Sequence, residues 1–557
     1  MREMDKAFDF RTAQTRWYET WERSGVFEAK PASGKTPWSI VIPPPNITGN
    51  LHMGHALVFT LHDVLTRFKR AQGFDALWVP GVDHAGIATQ MVVERQLKAE
   101  TGQTRHDLTR EQFLEKLWSW KEQNQGAIEN QLRRMGASVD WTRKRFTMDP
   151  DLNKAVRKVF VEAYRKGLIY RGPRMIQWDP ASQTALSDLE VKYVEKQGKL
   201  WHLRYPLADG TGFVVVATTR PETMLGDTGV AVHPEDERYK HLLGRKVVLP
   251  LTNRHIPVVA DPFVDPAFGT GCVKVTPAHD PNDHEAGKRL GLPSITVIGF
   301  DAKMTLEAGD KYAGMDRFEC RKAVVADLEE QGLLEKIEDY THQVSVSDRT
   351  GAVLEPLVST QWFMDVKEAA AAALEAVRND RIQFTPEHWE TVWEHWLTNI
   401  QDWCISRQLV WGHRVPAWTC PNCGGVHVEM EAPAHCHHCA HPDLDQDPDT
   451  LDTWFSSALW PFSVFGWPDR TEDLKRYYPT DVLITGYDIL FFWVARMVMA
   501  GLTQMDEVPF RRVYFNSLVR DAHGQKMSKT KGNVIDPVGT MEEFGTDALR
   551  FSLAIMA

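Results

Sequence analysis

Apolar and polar positions alternate along this chain in three distinguishable textures. Residues 8–25 carry apolar side chains at helical spacing. Trp38-Ser39-Ile40-Val41-Ile42 is then a short strand-like run that halts at Pro43-Pro44-Pro45, where backbone donors are missing and φ is fixed. Glycines 49 and 54 follow, and from Ala56 the positions Leu57, Leu61, Val64, Leu65 and Phe68 recur with a helical period. Strand, loop and helix in that order predict the opening of a nucleotide-binding α/β fold.

Residues 107–170 read mostly as helix. The texture changes near 190, where Gly212–Thr219, Lys246–Leu251 and Cys272–Thr276 form β-rich runs separated by Gly, Pro and Asp. This continues to about 345. Helical text resumes over 365–412 and includes the alanine run Ala369–Ala373. A cysteine cluster interrupts it, and strand-like Val482–Thr485, an apolar helix and strand-like Val513–Val519 follow. The simplest organisation is one α/β domain split by a β-rich insertion of about 150 residues.

Composition narrows this picture. The 557 residues suffice for roughly three or four domains. A formal charge of −11 excludes a histone-like basic binder, though not a local basic groove. MREMDKAFDF holds no apolar stretch of signal-peptide length. The longest apolar run, Ile489–Gly501, carries Arg496 and reads as a buried helix, so no membrane association and a cytoplasmic location are expected.

Four of the seven cysteines lie in Cys420-Pro-Asn-Cys423 and Cys436-His-His-Cys439. Two CxxC pairs at this separation predict a closed tetrahedral zinc site with a structural role. His435, His437, His438 and His441 are competing donors or a solvated rim.

Two further constellations carry chemistry. In Asn46-Ile47-Thr48-Gly49-Asn50-Leu51-His52-Met53-Gly54-His55 the two histidines are three apart and share one face of a helix start. A helix N-terminus suits phosphate, and glycine permits close backbone approach. Lys526-Met527-Ser528-Lys529-Thr530 follows a probable strand and the turn Asp521–Gly524, and its lysines would stabilise charge on a reacting phosphate. Other phosphate motifs fail: there is no GxGxxG, and Ser33-Gly34-Lys35-Thr36 lacks the P-loop glycine, which is Ala29 here.

His52-Met53-Gly54-His55 and Lys526–Thr530 resemble the HIGH and KMSKS signatures of the class I aminoacyl-tRNA synthetases. PPPNITGNLHMGHAL at 43–57, PGVDHAGIATQ at 80–90, TTRPETMLGDTGVAVHPEDERY at 218–239, VKVTPAHDPNDHEAG at 273–287, WCISRQLVWGHRVPAW at 403–418, LDTWFSSALWPFS at 451–463 and TGYDILFFWVARM at 485–497 resemble the valyl branch of that family. Thr530 is a mild departure at the last position of the signature.

The resemblance implies a Rossmann-like parallel-sheet catalytic domain split by a β-rich editing insertion, with a small zinc-binding insertion. The implied boundaries are 1–189 for the first catalytic half and 190–345 for the editing domain. A connective part (346–415), the zinc insertion (416–445), the second catalytic half (446–535) and the start of a helical stem-contact region (536–557) follow. Several hundred further residues, including an anticodon-binding domain, are expected after the second signature, so the chain reads as a catalytic-plus-editing fragment.

The implied activity is ATP- and Mg²⁺-dependent formation of valyl-adenylate and transfer to tRNA(Val), and a monomer is expected. His52, His55, Lys526 and Lys529 would be catalytic. Asn46, Gly54, Met527 and Ser528 would join them around ATP. Pro43, Pro44, Asn46 and Asp83 would hold the amino acid, with Asp83 on its ammonium and Trp454 and Trp493 walling the side chain. The triple proline is bulkier than the isoleucyl relatives' residues and would exclude one methylene, an effect of about 1–3 kcal/mol.

A valine pocket rejects near-isosteric threonine poorly, so a second, hydrolytic site is needed. Thr218, Arg220, Thr223, Lys274, Thr276, Asp280 and Asp283 match it, with Asp283 on the misacylated amino group. Some relatives bind another zinc where this chain has Asp179, Ser182, Ser347 and Thr350, so one zinc is expected. Two other readings use the same residues: a synthetase-like protein for another amino acid or for editing alone, and a non-enzymatic zinc-bearing RNA-binding module.

Overall fold

A computed structural model describes residues 8–525, 527, 533 and 535–557. Lys526, Ser528, Lys529 and Thr530 lie outside the described residues. The chain forms two compact units, Met1–Tyr170 with Phe363–Ala557, and Arg171–Trp362. Among the described residues no helix is long and apolar enough to cross a membrane.

In the first unit, strand Pro37–Val41 pairs in parallel with Asp75–Val79. Both strands are almost wholly buried, as continuous apolar runs in parallel sheets are. The helix Met53–Ala71 joins them, with Leu57 and Phe59 in the core. Three more strands, Gln383–Thr385, Arg512–Asn516 and Leu483–Gly486, form a second parallel set. Sequence-distant segments lock together across this unit. Ser39 donates its hydroxyl to Tyr477 O at 2.6 Å and its backbone N–H to the Asp481 carboxylate at 2.8 Å. Trp460 is fully buried and donates from Nε1 to Ile42 O at 2.9 Å.

The apolar segment near 490 is more irregular than its sequence predicts. Leu490–Val494 is one turn of π-helix, and the α-helix runs over Ala495–Gln504. Such turns add a residue to the helix and rotate the side chains that follow. The helical expectation for 365–412 also needs correction. Helices cover Lys367–Arg378 and Trp389–Thr398, but the segment beyond holds only short strands, Trp403–Cys404 and Ser406–Arg407. Trp403 Nε1 and Arg407 Nη2 both donate to Asp452, at 3.0 and 2.9 Å. That buried ion pair outweighs helical propensity.

Two sheets build the core of the second unit. Leu334–Ser347, Val191–Pro206 and Phe213–Thr218 form an antiparallel set. Lys246–Leu249, Arg254–Ala260, Gly229–Val232 and Cys272–Val275 form a mixed one. Leu203, Tyr205, Val216, Val230, Val247 and Val297 fill its core. Asp179, Ser182, Ser347 and Thr350 gather in this unit: Thr350 Oγ1 donates to Asp179 Oδ2 at 2.8 Å, and Ser347 Oγ accepts from Thr350 N at 3.2 Å.

Gly81 gives a direct test of packing in the first unit. A Cβ there would lie 2.6 Å from Arg145 O and would overlap the Trp460 ring. Gly81→Ala should therefore destabilise by about 1–3 kcal/mol, read as a lower denaturation midpoint.

Candidate active site and cysteine cluster

His52 is the N-cap of the helix Met53–Ala71, with extended backbone at φ −119° and ψ 174°. Its Nδ1 accepts from Gly54 N at 3.1 Å and from His55 N at 3.4 Å, and His55 Nδ1 accepts from His52 N at 3.2 Å. The two imidazoles thus form a reciprocal cap of the kind usually built from Ser and Glu. Their ring centroids are 3.8 Å apart. Because each Nδ1 is an acceptor, each neutral ring carries its proton on Nε2. The spacing in the sequence anticipated the shared face but not this capping role.

Asp83 is 4% exposed and sits beside the same strand ends. Asn46 bridges to it in parallel, with Asp83 N donating to Pro45 O at 3.0 Å. The carboxylate accepts from Ser457 Oγ at 2.5 Å and from Ala85 N at 2.7 Å. Burial pushes its pKa up to about 6, against the opposing effect of those two donors. Its neighbour His84, with Nδ1 3.5 Å away, is held down at about 3 by burial and so is neutral. Among the described residues no Lys or Arg pairs with Asp83. Ala85 lies at φ +50°, a strained conformation for a side-chain-bearing residue, and starts the helix Gly86–Thr101.

Trp493, in the π-helical turn, is buried and donates from Nε1 to Ser457 O at 2.9 Å. Trp454 is half-buried and packs on Phe492 with ring centroids 5.3 Å apart. Pro43 and Pro44 are half-buried, and Asn46 is exposed. His52, Gly54 and His55 share one helix start, while Asp83 and Trp493 are joined through Ser457. Ser457 was missed by sequence reasoning, as was Thr453, whose Oγ1 accepts from Gly86 N at 2.9 Å. Small hydroxyls give no pattern until the fold shows what they touch. Met527 is buried, and the lysines of its motif lie outside the described residues.

In the second unit, the predicted editing residues are drawn into one buried network. Lys274 Nζ donates to Thr276 Oγ1 at 2.5 Å, to Thr223 Oγ1 at 2.9 Å and to Asp227 Oδ1 at 3.3 Å. Thr276 N donates to Asp283 Oδ2 at 2.8 Å. Burial, then the nearby Asp280 charge, raises the Asp283 pKa to about 7. Asp280 caps the helix Pro281–Leu290 by accepting from Asn282 N and Asp283 N. Thr218 Oγ1 accepts from Arg220 N at 3.0 Å. The Arg220 guanidinium is held by Glu355 and Glu222, which also engage Arg317 and Arg321. Asp227, Glu222 and Glu355 were not anticipated.

The four sulfurs of Cys420, Cys423, Cys436 and Cys439 lie within 4.8 Å of one another, an arrangement able to hold a metal ion. Cys420 Sγ is 3.6 Å from Cys439 Sγ, and Cys423 Sγ is 3.6 Å from Cys436 Sγ. His427, outside the group of histidines expected as rivals, places Nε2 3.3 Å from Cys436 Sγ.

This architecture is shared with solved structures. It superimposes on the LeuRS of Agrobacterium radiobacter, crystallised with tRNA and LeuAMS, at a TM-score of 0.56 and 22% identity, over 99% of this chain and 73% of that one. Methionyl-tRNA synthetase of Mycobacterium tuberculosis, bound by methionyl-adenylate, gives a TM-score of 0.50 at 15% identity, over 93% of this chain and 64% of that one. The mixed α/β fold is therefore shared with these two structures.

Residues 16–557 match the family described as tRNA synthetases class I (I, L, M and V), and the chain belongs to that family. It is 58% identical to the Valine--tRNA ligase of Geobacter sulfurreducens, over 100% of this chain and 63% of that protein. The Valine--tRNA ligase of Thermotoga maritima is 56% identical, over 100% of this chain and 64% of its own length. That of Symbiobacterium thermophilum is 55% identical, over 99% and 60%. The chain thus spans under two thirds of these relatives.

The reciprocal cap makes a stability prediction. His52→Ala should destabilise by about 1 kcal/mol, whereas His52→Asn, itself a good N-cap, should stay within about 0.5 kcal/mol of the parent. Urea unfolding distinguishes them.

Proposed function

We propose that this chain activates L-valine with ATP and carries the valyl group to tRNA(Val), and that its second unit hydrolyses threonyl-tRNA(Val). The observation that carries the reading is the buried Asp83 carboxylate, fixed by Ser457 and Ala85 and paired with no Lys or Arg among the described residues. An amino acid's ammonium fills that place. The nearby indole of Trp493, anchored to Ser457, walls the side chain. The 55–58% identity with valine--tRNA ligases supports valine as the amino acid.

In this reading a carboxylate oxygen of valine attacks the α-phosphorus, the bond to the bridging oxygen breaks, and pyrophosphate leaves. Mg²⁺ accompanies the triphosphate and screens its charge. The helix N-terminus at His52 and the two Nε2–H donors face negative charge that grows on the phosphate oxygens. Lys526 and Lys529 take the same role from their motif. A hydroxyl of the tRNA's terminal adenosine then attacks the valyl carbonyl and AMP leaves. The Rossmann-like assignment of the first unit and the editing assignment of the second belong to this proposal.

The test is ATP–pyrophosphate exchange across a panel of amino acids. Valine should support it best and threonine weakly; exchange with another amino acid alone, or none, would overturn the reading. His52→Asn keeps the cap and loses the donor, so kcat should fall by about 10²–10³-fold with little change in stability. The valine KM has a pH signature. Asp83 is protonated below its pKa of about 6 and then cannot pair with an ammonium. KM should rise about tenfold per unit below pH 6 and flatten above it.

The four-thiolate group fits zinc. Tetrahedral bonds of about 2.3 Å imply sulfur separations of about 3.8 Å, close to those present. Four protein ligands leave no open position, so the ion would tie the turn holding Cys420 and Cys423, between the paired strands Ala417–Thr419 and Val426–Val428, to the turn holding Cys436 and Cys439. About one zinc per chain is expected by elemental analysis, and Cys436→Ser should release it and lower the melting temperature.

A further inference from the structure

The network around Lys274 is saturated in one direction. Lys274 Nζ has three N–H bonds, and they go to Thr223 Oγ1, Thr276 Oγ1 and Asp227 Oδ1. Thr223 spends its hydroxyl proton on Arg220 O at 3.0 Å. Thr276 spends its own on Asp227 Oδ1 at 2.6 Å. Tyr205, in the core, gives its phenolic proton to Asp227 Oδ2 at 2.7 Å. Each threonine oxygen has therefore donated its one proton and accepted one bond. What remains on each is a lone pair.

Asp227 sets this polarity. It is fully buried, and it accepts from Tyr205, Thr276 and Lys274 alike. A carboxylate has no proton to give, so the Thr276 hydroxyl must point toward it. An amide there would offer an N–H instead, turn the Thr276 hydrogen outward and remove the charge that balances Lys274.

We propose that Asp227 is the positioning residue that makes Thr276 an obligatory acceptor and balances the Lys274 ammonium that donates to Thr223, so that the second unit admits a hydroxyl-donating side chain and rejects an isosteric one without a donor. The proposal rests on the reading of this unit as the site that hydrolyses threonyl esters. A threonyl hydroxyl donates to the waiting lone pair. A valyl methyl covers it and returns nothing, and a site built to pair a substrate hydroxyl discriminates by up to about 10⁴–10⁵-fold for that reason. Water then attacks the ester carbonyl, the bond to the ribose oxygen breaks, and that oxygen takes a proton as threonine leaves.

The experiment supplies pre-formed threonyl- and valyl-tRNA(Val) to the chain and follows deacylation of each. The parent should strongly prefer the threonyl ester. Asp227→Asn should lower that preference at least about tenfold, chiefly through a raised KM for the threonyl ester, while slow valyl hydrolysis is unchanged or faster. A merely structural loss would slow both esters together and overturn the proposal. A second arm needs no variant: an ester of the β-fluoro analogue, which matches the hydroxyl in size but cannot donate, should be hydrolysed by the parent nearly as slowly as the valyl ester. Hydrolysis at the threonyl rate overturns the proposal and leaves the editing reading standing. No threonyl deacylation by the parent overturns both.

Discussion

A carboxylate taken out of water at the junction of two distant stretches of chain is the constraint around which the first unit is organised. Asp83 and Ser457 are 374 positions apart, yet their side chains meet at 2.5 Å. Burying an ionised carboxylate costs several kcal/mol unless donors replace its water. Among the described residues two fixed donors reach it, and burial keeps its pKa raised against them. The surrounding contacts hold the donors in place: Thr453 binds Gly86 N, Trp493 binds Ser457 O, and Trp460 binds Ile42 O. Among the described residues Asp83 is thus left short of one positive charge, the place the proposed reading gives to an ammonium.

How much of this is legible in the sequence depends on how far each interaction reaches along the chain. The histidine cap is local, and His52-Met53-Gly54-His55 shows its spacing directly. The cysteine pairs are local in the same sense, two CxxC turns that the fold need only bring face to face. The strands Pro37–Val41 and Leu483–Gly486 are apolar runs bounded by clear breakers. Ser457 and Asp227, by contrast, are a small hydroxyl and an acid in ordinary surroundings, and their roles come from partners brought close by folding. The segment after Thr398 misleads for a related reason: its Trp and Arg spacing suits a helix, but both side chains are claimed by Asp452.

Arg220 shows how the second unit handles the opposite charge. Its guanidinium is shared by Glu222 and Glu355, and each of those acids is held by another arginine. Every member has a partner of opposite sign, so removing one would strand a buried charge. Such a network fixes Arg220 in one orientation and lets its backbone neighbours Thr218 and Thr223 keep theirs. Geometry at this site is therefore secured by charge balance, where among the described residues Asp83 is held by two hydrogen bonds.

Three buried acids can be ranked by what each still lacks. Asp227 accepts from an ammonium and two hydroxyls, although burial still raises its pKa. Asp83 has a hydroxyl and a backbone N–H but no lysine or arginine among the described residues. Asp283 accepts from Thr276 N and faces the like charge of Asp280, and its pKa rises to about 7. An acid with three internal donors gains less from a ligand, and its effect is on the direction of its neighbours' protons. An acid short of donors gains the full Coulombic and hydrogen-bonding term when an ammonium arrives. By this measure Asp83 and Asp283 are the acids left with unmet charge, as the proposed reading asks of an ammonium site, and Asp227 bears on the proposed ligand through Thr276 and Lys274.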